Sequence, residues 1–99
     1  MMILIVALIS IAQATVKVAV IDTGFNRSSS DSVLCDQGHA DFSKSSPVIG
    51  PVPSDNHGHG TNVSDIIGQG VEGDYCLVIV KFYESGMSSE RSARAAIDA

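Results

Sequence analysis

The stretch Val16-Lys17-Val18-Ala19-Val20-Ile21, followed by Asp22-Thr23-Gly24, decides the fold of this chain. It is short, rich in β-branched residues and almost wholly apolar, which is typical of a strand buried on both faces of a parallel sheet. Gly24 lets the backbone turn sharply away at the end of the strand. We therefore predict a strand over 16–21 that holds the carboxylate of Asp22 rigidly at its carboxyl end.

Helices and strands alternate after this first strand. Apolar residues at helical spacing predict a helix over 59–68, and Gly68 and Gly70 are expected to stop it. A second apolar run predicts a strand over 76–82, and 88–99 reads as a further helix. This order predicts an α/β fold with a parallel sheet and right-handed crossovers. In such sheets the active crevice lies at the carboxyl ends of the strands.

The remaining segments are polar and loop-like. Residues 26–32 and 43–56 are rich in Ser, Asn, Asp and Pro, which favours loops. Within the second segment, Val48 and Ile49 are the only candidates for a short strand. The predicted order is therefore strand, long loop, helix, strand, helix.

A second motif, Asn56-His57-Gly58-His59-Gly60-Thr61-Asn62-Val63, places a histidine at the start of the predicted helix. Glycines on both sides of His59 permit a neighbouring chain to approach closely. Together with Asp22-Thr23-Gly24, this motif resembles the subtilisin-like (subtilase) family of serine peptidases. That family has a hydrophobic strand ending in Asp-Thr/Ser-Gly and a helix beginning with His-Gly-Thr-His-Val-Ala-Gly. The two motifs lie 37 residues apart here, which is close to the family's spacing.

The resemblance implies that 15–99 is the N-terminal portion of a subtilase catalytic domain, acting on a peptide or protein substrate without a cofactor. His59 would be the general base of a serine-type endopeptidase, and Asp22 would orient and stabilise its ring. The family's Gly-Thr-Ser nucleophile motif does not occur in the sequence. We expect this chain alone to be inactive, as a truncated fragment, a split half that needs a C-terminal fragment carrying the serine, or a pseudoenzyme.

Three positions depart from the family pattern. Asn62 replaces the usual second histidine, and Ser64 and Asp65 stand where the family prefers Ala and Gly. A charge on a closely packed helix face needs a partner or solvent, so Asp65 is the most consequential of the three. These departures favour a competing hypothesis, a non-catalytic module on the same scaffold that binds peptides by strand addition at a sheet edge.

Two alternative sites involve metal ions. Asp55, His57 and His59, with His39, contain a His-x-His pair, but it lies in a Gly-rich turn and a full ligand set is not evident. Asp31 stands where some subtilases place a structural calcium ligand, although a solvated loop aspartate is the simpler interpretation. A dinucleotide site is not expected, because no G-x-G-x-x-G follows the first strand.

The N-terminus resembles a cleaved export signal. Residues 2–12 are almost wholly apolar, and Ala12-Gln13-Ala14 matches a small-residue cleavage pattern, which would make Thr15 the new terminus. No Lys or Arg precedes the run, so the alternative is a buried strand or helix of the fold. The run is too short to span a bilayer. We predict a signal-like segment over 1–14 and a secreted or otherwise exported protein.

Cysteine content and charge add two further expectations. Cys35 and Cys76 fit either one disulfide or two partly buried free thiols, and with only two cysteines to judge by we expect free thiols. The net charge of −5 and the scattered Lys and Arg residues argue against a nucleic-acid partner, which requires a basic face.

Overall fold

The computed structural model describes residues 15–84 and Ile97. They form a small α/β unit with a four-stranded mixed sheet, one α-helix and one short 3-10 helix. The strands are β1 (Val16–Asp22), β2 (His39–Asp41), β3 (Val48–Gly50) and β4 (Tyr75–Lys81). The α-helix α1 spans His59–Gly70, and the 3-10 helix spans Ser29–Val33.

The sheet has the strand order β1-β4-β2-β3. β4 pairs in parallel with β1 and with β2, whereas β3 pairs antiparallel with β2. The α/β class, β1, α1, β4 and the short strand at Val48 and Ile49 are therefore confirmed. The prediction of a purely parallel sheet is wrong, because β2 and β3 form a hairpin-like pair at one edge. Neither β2 nor the 3-10 helix was predicted, since both are short and lie in polar sequence.

The core lies between the sheet and α1. Its buried members are Val20, Phe25, Leu77 and Ile79. Val63 and Ile67 of α1 pack against this cluster, in line with the apolar spacing that predicted the helix. The helix continues through Gly68 to Gly70, so Gly68 does not end it as expected.

β1 is less buried than its sequence predicted. It pairs with β4 on one side only and is an edge strand of the sheet formed by the described residues. Val16 keeps 61% of its surface exposed and Ile21 keeps 37%, whereas Val20 points into the core. The prediction that β1 is buried on both faces is therefore wrong within the described part of the chain. An apolar strand composition is compatible with a central strand and with an edge strand, because composition does not say which neighbouring strands are present.

Cys35 and Cys76 form a disulfide, with their Cα atoms 4.9 Å apart, so the expectation of free thiols is wrong. The pairing follows from the sheet: the N–H of Cys35 donates to the carbonyl of Leu77, which holds the loop beside the start of β4. The two cysteines are 41 residues apart in sequence, and only tertiary structure brings them together.

Two predicted segments lie outside the described residues: the signal-like segment 1–14 and, apart from Ile97, the helix over 88–99. No helix within the described part of the chain has the length and apolar character needed to cross a membrane.

Candidate active site

Asp22 and His59 meet at the carboxyl end of β1. The Nδ1 atom of His59 lies 2.9 Å from Oδ1 and 2.8 Å from Oδ2 of Asp22. Because an ionised carboxylate can only accept hydrogen bonds, this contact places a proton on Nδ1 of His59. The backbone N–H of Thr23 donates to Asp22 Oδ1 at 2.8 Å, which further orients the carboxylate.

The two side chains differ in exposure. The side chain of Asp22 is 16% exposed, whereas that of His59 is 62% exposed. His59 therefore presents its Nε2 edge away from Asp22, and Nε2 has no hydrogen-bond partner among the described residues. With the proton on Nδ1, Nε2 carries a free lone pair. The pair can thus accept a proton at Nε2 and stabilise the resulting imidazolium through Asp22.

The backbone on either side of this pair is packed too tightly for larger residues. A Cβ atom on Gly60 would collide with the carbonyl oxygen of Gly24, and one on Gly24 would collide with the carbonyl oxygen of Ser54. Gly24 also has a φ of 113°, a conformation that favours glycine. The expectation of close approach at the glycines beside His59 is thus met at Gly60.

Asp55 is the central acceptor of the turn that precedes His59. It is buried, with 4% of its surface exposed, and its carboxylate accepts five hydrogen bonds. Its Oδ1 accepts from Thr23 Oγ1 and from the N–H groups of His57 and Gly58. Its Oδ2 accepts from the N–H and the Oγ1 of Thr61.

These hydrogen bonds set the charge of Asp55. Burial opposes ionisation and would raise the pKa of the carboxyl group. The hydrogen bonds from Thr61, Gly58 and Thr23 favour the ionised form, and their combined effect lowers the pKa of Asp55 well below its usual range. Asp55 is therefore ionised at neutral pH.

Asp65 has partners that the sequence did not reveal. Its Oδ1 accepts hydrogen bonds from Ser28 Oγ and Ser30 Oγ, both at 2.7 Å. These two hydrogen bonds, that from Ser28 first, lower the pKa of Asp65. Asp65 thus fastens α1 to the 3-10 helix, and its charge is compatible with close packing. Ser64 beside it is fully buried, and its Oγ makes no hydrogen bond.

The residues of the alternative metal site are not brought together. His39 is 2% exposed and uses both ring nitrogens: Nε2 lies 2.8 Å from the carbonyl of Cys35, and Nδ1 accepts from the N–H of Ile79. Both carboxylate oxygens of Asp55 are occupied, as described above. Among the described residues, no group of three or more His, Cys, Asp and Glu side chains is arranged to hold a metal ion.

The two remaining polar candidates have structural contacts. Asp31 closes a capping box with Ser28 at the start of the 3-10 helix and pairs with Arg27. His57 is exposed and packs edge-on against the rings of His59 and Tyr83, with centroid distances of 6.3 and 6.2 Å.

No family model, curated protein or solved structure shows significant similarity to this chain. The resemblance to the subtilases therefore rests on the two sequence motifs, and membership of that family stays a prediction. Sequence reasoning brought out Asp22 and His59 but gave Thr23 no role and treated Asp55 only as an alternative metal ligand. Their positions could have indicated a role, because Thr23 lies one residue after Asp22 and Asp55 lies four residues before His59.

Proposed function

We propose that this chain supplies the aspartate–histidine half of a serine-type endopeptidase site of the subtilisin type. The observation that carries the proposal is the contact of 2.8 Å between His59 Nδ1 and Asp22 Oδ2, with the far edge of the ring open to solvent. The order and spacing of the two motifs, which sequence alone provides, support it independently. The serine belongs to another stretch of polypeptide.

The proposed chemistry uses the exposed nitrogen of His59. A serine hydroxyl placed beside Nε2 gives up its proton to the ring as its oxygen attacks the peptide carbonyl. The negative charge of Asp22 stabilises the imidazolium and keeps Nδ1 as the donor. His59 then gives the proton to the leaving amine, and the same steps hydrolyse the acyl-enzyme with water as the nucleophile. Without the serine, neither step takes place.

The second candidate function is a non-catalytic module that binds an extended peptide. The observation that favours it is the outer side of β1, which pairs with no strand among the described residues and carries exposed Val16 and Ile21. A peptide strand would pair with the backbone groups along that edge. The close Asp22–His59 contact has no role in such a module, so we rank this function second.

We also propose that the protein is exported. The disulfide between Cys35 and Cys76 supports this proposal, because disulfides persist mainly in oxidising compartments. The signal-like segment 1–14 agrees with it. Analysis of the N-terminus of protein recovered from the exported fraction tests both points, and export with Thr15 at the terminus is the expected result.

The catalytic proposal is tested by complementation. The full chain is mixed with a separately expressed C-terminal subtilase fragment that carries the serine and the oxyanion-hole asparagine. Casein hydrolysis and labelling by a fluorophosphonate probe are measured for each polypeptide alone and for the mixture. We expect activity and labelling only in the mixture. His59→Ala should abolish both, and His57→Ala, which removes the neighbouring exposed histidine, should leave them nearly unchanged.

The opposite outcomes are equally clear. A mixture without activity, when circular dichroism shows a folded chain, contradicts the proposal if the two polypeptides bind each other. Shifts of backbone NMR signals along β1 on addition of extended peptides would then favour the binding module. Labelling of this chain alone would show that it carries a nucleophile, contrary to the mechanism proposed.

A further inference from the structure

We infer that Asp55 is a positioning residue for the Asp22–His59 pair. Its carboxylate joins Thr23, which follows Asp22, to the first turn of α1, which begins at His59. The contacts of Asp55 with the rest of the chain are observed directly; the consequence for catalysis rests on the function proposed above.

Asp55 is itself held firmly in place. Its N–H donates to Asn26 Oδ1 at 2.9 Å, and its carbonyl accepts from Asn26 Nδ2 at 2.6 Å. The preceding residue, Ser54, accepts a hydrogen bond at 2.7 Å from Lys81 Nζ, and Lys81 is 1% exposed. These contacts fix the backbone of Asp55 from two sides, so the carboxylate can act as a rigid reference point.

From this position Asp55 accepts hydrogen bonds from backbone N–H groups at the start of α1. The first N–H groups of a helix have no partners within it, and the residue that precedes α1, Gly58, has no side chain with which to cap it. Asp55 accepts hydrogen bonds from the N–H groups of Gly58 and Thr61, at 2.8 and 2.9 Å. These two donors flank His59 and Gly60 in the sequence. The direction in which α1 starts, and hence the place of the His59 ring, depends on this carboxylate.

Thr23 connects the same carboxylate to Asp22. Its Oγ1 donates to Asp55 Oδ1 at 2.8 Å and accepts from the N–H of Gly60 at 2.9 Å. Its own N–H donates to Asp22 Oδ1. One threonine therefore contacts Asp55, the catalytic aspartate and the residue after the catalytic histidine. A shift of the Asp55 carboxylate would move both members of the pair relative to each other.

The chemistry requires a carboxylate at this position. All five donors around Asp55 point at its two oxygens, and an asparagine would turn an NH₂ group toward at least one N–H. The lowered pKa of Asp55 agrees with an acceptor that is not protonated under working conditions. Asp55→Asn thus changes the charge and one acceptor with almost no change in volume.

The test reads the tautomer of His59 by NMR in the full chain, labelled with ¹⁵N in its histidine rings. Spectra are recorded at alkaline pH, where the ring is neutral. In the unmodified protein we expect the proton of His59 to lie on Nδ1, facing Asp22. In Asp55→Asn and Thr23→Val, we expect the ratio of the Nδ1–H to the Nε2–H tautomer to fall about fivefold or more, as for the loss of one net hydrogen bond.

Two further variants separate positioning from general destabilisation. Thr23→Ser keeps the hydroxyl and should restore the Nδ1–H tautomer. Asp65→Asn removes a carboxylate that also fastens α1 but has no contact with Thr23 or Gly58, so it should lower stability and leave the His59 tautomer unchanged. If Asp55→Asn does not fold, the Thr23→Val and Thr23→Ser variants serve as the test. In both of them the Asp55 carboxylate keeps the four hydrogen bonds that do not come from Thr23. An unchanged tautomer in folded Asp55→Asn or Thr23→Val overturns the inference, as does an equal change in Asp65→Asn.

The complementation assay distinguishes this inference from the proposed function. If the mixture is active, Asp55→Asn should lower kcat about 100-fold with little change in KM, as expected for a misplaced base. An active mixture in which Asp55→Asn has no effect on kcat or on the tautomer leaves the proposed function standing and rejects the inference. A mixture of folded polypeptides that bind each other but show no activity rejects the proposed function; the tautomer changes described above would still establish the positioning role of Asp55.

Discussion

At the carboxyl ends of β1 and β4, side-chain hydrogen bonds connect the strands to neighbouring loops; at their amino ends, a disulfide makes the corresponding connection. At the first end, Thr23 donates to the carboxylates of Asp22 and Asp55, each at 2.8 Å. Lys81 Nζ donates at 2.7 Å to the carbonyl of Ser54, the residue before Asp55. The second end has the Cys35–Cys76 disulfide and a weak contact of 3.3 Å between Thr15 and Asp74.

This difference shows how a small chain supports a polar site. A buried hydrogen-bond network needs all of its partners, because one unpaired buried group costs more than one hydrogen bond contributes. The hydrogen bonds around Asp55 need short, well-aligned contacts. Gly24 and Gly60 allow them, because a side chain at either position would collide with the neighbouring backbone. The disulfide stabilises the opposite end without placing polar atoms near the site. The two ends should therefore fail under different conditions.

The largest effect is expected from removal of the disulfide. Its loop spans 41 residues, and the chain-entropy model gives a loss of about 4 kcal/mol in the free energy of unfolding for Cys35→Ala/Cys76→Ala. Urea unfolding measures the loss. Where the variant remains folded, the His59 tautomer should be unchanged, because no atom of the carboxyl-end network is touched. A loss below about 1 kcal/mol would mean that the amino end is held by other contacts.

Acid should destabilise the carboxyl ends of β1 and β4, where Asp55 lies. The folded-state pKa of Asp55 is lowered, so the folded protein binds fewer protons than the unfolded chain once the pH approaches the ordinary aspartate value of about 4. The stabilisation is complete above that value and is lost as the pH falls further toward the folded-state pKa. We expect the urea midpoint to fall in this range.

Variants show which carboxylate is responsible for this acid sensitivity. Asp55→Asn should start from a lower midpoint at neutral pH and lose less of it on acidification. Asp36→Asn, at an exposed loop position, should follow the unmodified protein throughout. Equal acid sensitivity in the unmodified protein and Asp55→Asn would show that the loss arises from other carboxyl groups.

The smallest expected effect concerns the unpaired hydroxyl of Ser64 in α1. Ser64 Oγ is fully buried without a hydrogen bond, so Ser64→Ala should raise the free energy of unfolding by about 1 kcal/mol. Ser30→Ala is the matched change. It removes a hydroxyl that donates to Asp65 Oδ1 at 2.7 Å and lies 3.2 Å from the carbonyl oxygen of Ser64, and should lower stability by a similar amount. A destabilised Ser64→Ala variant would mean that this hydroxyl has a partner after all.

Much of the fold was predictable because it depends on local pattern. β1 and β4 are largely apolar runs rich in β-branched residues, and α1 has apolar residues at helical spacing, so each was found within one or two residues of its bounds. Asp22 and His59 were chosen because each lies at the end of such an element, in a motif that resembles the subtilase motifs. Their contact is present in the structure, and their catalytic role stays a prediction. The segment 1–14 and, apart from Ile97, the helix over 88–99 lie outside the described residues and stay predictions.

Local sequence patterns were enough to predict β1, α1 and β4 and to place Asp22 and His59 at their ends, because these features follow from interactions between near neighbours in the chain. Three-dimensional packing was needed to show that β1 lies at an edge of the described sheet, that Cys35 pairs with Cys76, and that Asp65 has two serine partners. It also decided the role of Asp55, whose hydrogen bond to Thr23 spans 32 residues. Such contacts depend on how the elements pack, and no local pattern encodes them.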